Sequence, residues 1–130
     1  MSFLQIRKKQ MAKILIIDDD MQTTKLLEGI VAVQGHKTVS VNNSMSAVEA
    51  ANLSDPDLIL LDIMMPGING IQLCKIFKST PDLKHIPIII VSALDDIGSK
   101  KDAYNAGAKD FLTKPVRPKD LANKINALIA

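Results

Sequence analysis

Short apolar runs alternate with longer amphipathic stretches along this chain. Lys13 to Ile17 predicts a strand, and from Thr23 to Gln34 the apolar residues Leu26, Leu27, Ile30, Val31 and Val33 recur at roughly helical spacing, with Gly35 as a stop. Thr38 to Val41 alternates as a second strand. Asn43 and Ser44 open a helix to about Leu53 that packs with Ala47, Val48, Ala50 and Ala51; Ser46 and Glu49 resemble a capping box inside it, with the true cap possible further upstream. After the turn signal Asp55-Pro56-Asp57 comes a third strand, Leu58 to Leu61. Pro66, Gly67 and Gly70 occupy the next loop, and Ile71, Leu73, Cys74, Ile76 and Phe77 supply a third helix. Ile88 to Val91 is a fourth strand. Ile97 to Ala106 is a fourth helix with a weak apolar stripe, expected to be the least stable of the five and stopped by Gly107. Asp110 to Leu112 is a fifth strand, and Pro118 opens a last helix striped by Leu121, Ile125, Leu128 and Ile129.

Five strand–helix units in series imply an α/β fold: a five-stranded parallel sheet covered by five helices on both faces. Right-handed crossovers leave few topologies, and the flavodoxin-like three-layer sandwich of order 2-1-3-4-5 fits best. In such a sheet ligands sit at the carboxyl ends of the strands, which is where Asp18, Asp19, Asp62, Ser92 and Lys114 fall.

A length of 130 residues suffices for one domain with a full core, and an aromatic content of 3% makes that core aliphatic. A net charge of +2 gives no footprint for nucleic acid. One cysteine, Cys74, excludes an internal disulfide, fits a reducing cytoplasm and reads as core packing. No apolar stretch approaches the ~20 residues needed to span a bilayer, so membrane insertion is not expected. Residues 1–11 read as a poorly ordered extension, with a short partner-binding helix as the alternative and Met11 as a possible second start, ahead of a domain over 12–130. Phe3, Leu4 and Ile6 precede Arg7-Lys8-Lys9, the wrong order for a secretion signal.

The acids that close the first and third strands carry the chemistry. Asp18, Asp19 and Asp20 follow Ile14-Leu15-Ile16-Ile17, and Asp62 follows Leu58-Ile59-Leu60-Leu61. Carboxylates at the ends of buried strands are costly unless a cation joins them. Hard oxygen ligands suit Mg2+, and a phosphoryl group is the natural companion.

The stretches ILIIDDD, LILLDIMMPGING, IIIVSA and DFLTKP, in this order and spacing, resemble the response-regulator receiver domain of two-component signalling, of the chemotaxis-regulator type, from about Lys13 to Ala130. The resemblance implies a phosphoacceptor module. Asp62 would take the phosphoryl group from a histidine kinase or histidine phosphotransfer protein. Asp18, Asp19, Asp62 and the backbone carbonyl of Met64 would hold Mg2+, with Mn2+ or Ca2+ as substitutes. Lys114, through a cis Lys114-Pro115 bond, and Ser92 would bind phosphoryl oxygens. Ser92 and Phe111 would form the switch, Ser92 moving toward the phosphate and Phe111 turning inward. The donor is expected beside Thr23 to Leu27 and the loop after Lys114. An unknown downstream protein is expected on the fourth helix, fifth strand and fifth helix. Apolar Met64 and Leu94 would flank the route of attacking water and slow hydrolysis.

Other residues read more plainly: Asp20 as a solvated helix cap, His36 and His85 as solvent-facing, Met64 and Met65 as loop and core edge, Arg117 and Lys119 as a solvated face. Chemistry is expected to stop at self-catalysed transfer and dephosphorylation. A small metal-dependent phosphatase or phosphotransferase is the alternative, but Ile63 and Met64 follow Asp62 where dehalogenase-like enzymes need a second acid two residues on. A flavodoxin-like cofactor site lacks its glycine-rich loop. Direct nucleic-acid binding is not expected, since no helix-turn-helix follows the last helix.

Overall fold

The structure, a computed structural model, describes residues 11–129. Most of the N-terminal extension expected over 1–11 lies outside the described residues. The elements are β1 (Lys13–Ile17), α1 (Met21–Val33), β2 (Lys37–Val41), a 3-10 turn at Ser44–Ser46, α2 (Ala47–Ser54), β3 (Leu58–Leu61), α3 (Gly70–Ser79), β4 (Ile88–Ser92), α4 (Ile97–Asn105), β5 (Asp110–Thr113) and α5 (Pro118–Ile129). The strands form one parallel sheet in the order β2-β1-β3-β4-β5, as the alternation of elements predicts.

Strand polarity explains the central positions. Every residue of β3 and β4 is buried, and β1 is buried from Ile14 onward, because helices cover both faces. Successive side chains of a strand face opposite sides. Ile14 and Ile16 therefore join Leu27 and Val31 of α1 and Leu121, Ile125 and Ile129 of α5, whereas Leu15 and Ile17 join Ala47, Leu73, Cys74, Phe77 and Ala103 beneath α2, α3 and α4. Full burial of a side chain such as Leu121 or Ile125 is worth about 1.5–3 kcal/mol, so α1 and α5 are held chiefly by their stripes. α4 has a single buried residue, Ala103, in keeping with its weak pattern.

Local signals end the helices. Gly35 (φ 92°) and Gly107 (φ 108°) follow α1 and α4 in the left-handed region that glycine enters without a Cβ penalty. The helix expected from Asn43 begins instead as the 3-10 turn, capped by the Asn43 side chain accepting from the Met45 amide, and Ser46 makes no side-chain cap bond.

One expectation is overturned. His36 is not solvent-facing: it is buried, and its Nδ1 accepts from the Ala12 amide at 3.0 Å. The residue just before β2 fills the foot of the sheet and caps the entry to β1, where water cannot reach the Ala12 donor. His85 is exposed as expected.

Candidate functional site

The C-terminal ends of β1 and β3 are neighbours, since Ile17 pairs with Leu61 and the Asp62 amide donates to the Ile17 carbonyl at 3.0 Å. The next residue on each strand is an acid, and the register sets the two side by side. Oxygen atoms of Asp18, Asp19 and Asp62 lie within 4.8 Å of one another, the first and last buried and Asp19 exposed. Asp20 stands apart as the N-cap of α1, accepting from the Gln22 amide at 3.1 Å and the Thr23 hydroxyl at 2.8 Å, the sequence reading of that residue. These bonds, the Thr23 hydroxyl first, hold its carboxyl below the usual range.

Lys114 brings the opposing charge. It directly follows β5 and is joined to Pro115 by a cis peptide bond, and its amide donates to the Ser92 carbonyl at 2.9 Å. Its Nζ lies 2.8 Å from Asp18 Oδ2 and 3.6 Å from Asp62 Oδ1. Burial works against the lysine's charge, but the bond to Asp18 and the charge of Asp62 outweigh it and hold its pKa above the usual value. The balance at Asp62 goes the other way. Burial first, and then the charge of Asp18, outweigh the attraction of Lys114 and push the Asp62 carboxyl up to about 6.

The donor set suits a hard divalent ion: three carboxylates converge, and a Lys114 ammonium supplies one positive charge where more is called for. In this respect the ammonium stands in for part of a metal's charge. The Met64 side chain is 62% exposed, while the backbone around it is pinned because the Ile63 carbonyl accepts from both the Met65 amide at 3.1 Å and the Gly70 amide at 2.8 Å.

Ser92 and Phe111 lie nearby without joining the cluster. Ser92 is fully buried, and its Oγ accepts from the Leu94 amide at 3.2 Å. Phe111 is already buried at 8% exposure, with Lys100 Nζ 5.8 Å from the ring centroid. The inward turn expected of Phe111 therefore has no outward starting point in this structure.

Several supporting residues escaped sequence reasoning. Asn42 donates to the Asp18 carbonyl at 2.8 Å and to Thr24 Oγ1 at 3.2 Å, tying β2 to the β1 end. Buried Ser44 donates to the Pro66 carbonyl at 3.0 Å and accepts from the Ile68 amide at 3.2 Å, joining two site loops. Asn69 and Gln72 form a full capping box at the start of α3. The last was legible as Asn-x-x-Gln before an apolar run; the first two carry no local signal.

Residues 14–126 match the family model of the response regulator receiver domain. The chain belongs to that family. Among its relatives, PilH of Pseudomonas aeruginosa is 37% identical over 120 residues, covering 92% of this chain and 99% of PilH. The response regulator PleD of Caulobacter vibrioides is 35% identical over 117 residues, which cover 90% of this chain but only 26% of PleD, so the chain spans about a quarter of that relative. Among solved structures, the signal receiver domain of a signal transduction histidine kinase from Syntrophus aciditrophicus superposes with a TM-score of 0.83 at 36% identity, covering 91% of this chain and 89% of that one. The BeF3-activated N-terminal receiver domain of Klebsiella pneumoniae RstA gives 0.85 at 26% identity, covering 90% and 97%. The protein is thus a receiver domain of two-component response regulators. No helix among its described residues is long and apolar enough to cross a membrane.

Proposed function

We propose that this receiver domain accepts a phosphoryl group on Asp62 in a Mg2+-dependent reaction and passes the signal on by changing its surface. The observation that carries the reading is the convergence of Asp18, Asp19 and Asp62 within 4.8 Å beside the Lys114 ammonium. An Asp62 carboxylate oxygen bonds to phosphorus as the bond from phosphorus to the donor's histidine nitrogen breaks, leaving an acyl phosphate on Asp62. Phosphoryl transfer needs positioning and charge compensation more than covalent help from the protein. Asp18, Asp19, Asp62 and the Met64 carbonyl would hold Mg2+, which would supply positive charge against the phosphoryl oxygens. Lys114 exchanges its bond to Asp18 for one to the phosphoryl group, and the Ser92 hydroxyl, whose oxygen accepts from the Leu94 amide, donates its O–H to another phosphoryl oxygen. Phe111, buried on β5 in register with Ile90 of the strand that ends at Ser92, senses that movement.

The donor is a histidine kinase or histidine phosphotransfer protein, engaging α1 from Thr23 to Leu27 and the loop after Lys114. What supports that face is an apolar groove of about 630 Å³ between α1 and α5, which includes Leu26, Ile30, Val33 and Ala122 and is flanked by Lys25 and Lys119. The downstream partner takes the surface of α4, β5 and α5.

Mass spectrometry after incubation with phosphoramidate or acetyl phosphate and Mg2+ tests the reading. One added phosphoryl group in the wild-type protein, absent in Asp62→Asn, is expected. An unmodified wild-type chain, or equal modification of Asp62→Asn, refutes it. Sustained turnover of a small phosphate ester would favour a phosphatase instead.

A further inference from the structure

Gly70 is the first residue of α3, and it lies directly against the backbone of Asp62. A Cβ at position 70 would stand 2.0 Å from the Asp62 carbonyl oxygen, 2.7 Å from its carbonyl carbon and 2.7 Å from Ile63 Cα. All three are main-chain atoms, so no side chain can swing aside, and a real Cβ tolerates nothing under 3.0 Å. Retreat of α3 is opposed on every side. The Gly70 amide donates to the Ile63 carbonyl at 2.8 Å, the Asn69–Gln72 box clamps the same turn, and Leu73, Cys74 and Phe77 are fully buried behind it. The displacement caused by a side chain is therefore shared with residues 62–64.

We propose that Gly70 is a positioning residue for the metal and phosphoryl site. Its lack of a side chain lets α3 press onto the Asp62 peptide, and this contact sets both the direction of the Asp62 carboxylate and the placement of the Met64 carbonyl. The inference rests on the reading of Asp62 as acceptor and Met64 as a backbone ligand. It also makes a distinction between ions. Mg2+ demands near-ideal octahedral geometry at about 2.0–2.1 Å, whereas Ca2+ accepts looser arrangements. A misplacement of about 1 Å at a reacting group is worth on the order of 100-fold in rate.

Gly107 provides the control. A Cβ there would meet Lys78 Cγ at 2.6 Å, and its φ of +108° strains any side chain. Lys78 lies at the opposite end of α3 from Gly70. Gly107→Ala therefore strains the fold without pressing on Asp62.

The test compares full-length wild type, Gly70→Ala and Gly107→Ala by calorimetric titration with Mg2+ and with Ca2+, and by the rate of modification with phosphoramidate. Gly70→Ala is expected to weaken Mg2+ binding at least about tenfold and Ca2+ binding less, and to slow modification by on the order of 100-fold. Gly107→Ala is expected to lower Tm while leaving ion affinity and rate near wild type. A folded Gly70→Ala with wild-type Mg2+ affinity and rate overturns the proposal, as does an equal loss in Gly107→Ala. If Gly70→Ala does not fold, the wild-type protein decides: the Gly70 amide resonance should shift as Mg2+ is titrated in, and a stationary resonance overturns the inference. A wild-type chain that gains no phosphoryl group sinks the proposed function itself; a wild type that is modified beside an unaffected Gly70→Ala sinks only the role of Gly70.

Discussion

Lys114 Nζ lies 2.8 Å from Asp18 Oδ2, joining the end of β5 to the end of β1 across 96 residues of sequence. The pair sits with Asp18 almost wholly buried and the lysine side chain 23% exposed. Breaking a pair in such surroundings leaves an uncompensated carboxylate next to another one, which costs more than the loss of a surface bridge. Lys114→Met should therefore destabilise the metal-free protein by about 1–3 kcal/mol. Mg2+ should return part of that loss by supplying the missing charge. Urea unfolding with and without Mg2+ checks both halves, and a variant as stable as wild type in metal-free buffer contradicts the first.

Asp62 should make the metal-free protein less stable as pH rises. The folded carboxyl keeps its proton up to about pH 6, whereas the unfolded chain loses it near 3.8. Between those values the unfolded state binds fewer protons, so stability falls with rising pH and levels off above about 6. Asp62→Asn removes the ionisation. At pH 8 it should exceed wild type by about 1–3 kcal/mol, and the gap should close below about pH 4. Unfolding curves across that range decide it: a gap that does not change with pH would contradict the burial argument.

His36 should act in the opposite sense. Burial holds its pKa below the usual 6.5, against a smaller opposing pull from Asp57. A depressed folded pKa means stability that is present above 6.5 and lost as pH falls through the folded value, because the unfolded chain takes up the proton first. Protonation of Nδ1 would also end its acceptance from the Ala12 amide. The difference in stability between wild type and His36→Asn should therefore shift against wild type as the pH is lowered below 6.5. Parallel stability curves for the two proteins over that interval would remove the claim.

Met64 and Leu94 bear on the lifetime of the proposed acyl phosphate. Met64 is exposed two residues after Asp62, and Leu94 is half-buried two residues after Ser92. Neither side chain can orient an attacking water. The double variant Met64→Asn, Leu94→Glu should hydrolyse its phosphoryl group several-fold faster. Decay of the phosphorylated mass after removal of the donor measures it, and an unchanged half-life refutes it.

Much of the architecture was open to reading along the chain. β1 and β3 fall at their expected boundaries because buried parallel strands are nearly pure aliphatic runs. Helix starts were less legible. α1 begins two residues before the first expected position because Asp20 caps it, and the segment after Asn43 divides into a 3-10 turn and α2. At the site, Asp18, Asp19, Asp62 and Lys114 were anticipated together, whereas Asn42, Ser44 and Gly70 were not, since their value lies in backbone atoms of another loop.

Periodicity and strand-end acids, both local properties of the chain, determined the fold class, the sheet order and the residues that meet at its carboxyl edge. Tertiary structure alone decided that His36 is buried under Ala12, that Phe111 already lies inward, and that α3 rests on the Asp62 peptide at Gly70. Those facts depend on how closely distant segments approach, and close packing fixes such distances only once both faces of the sheet are covered.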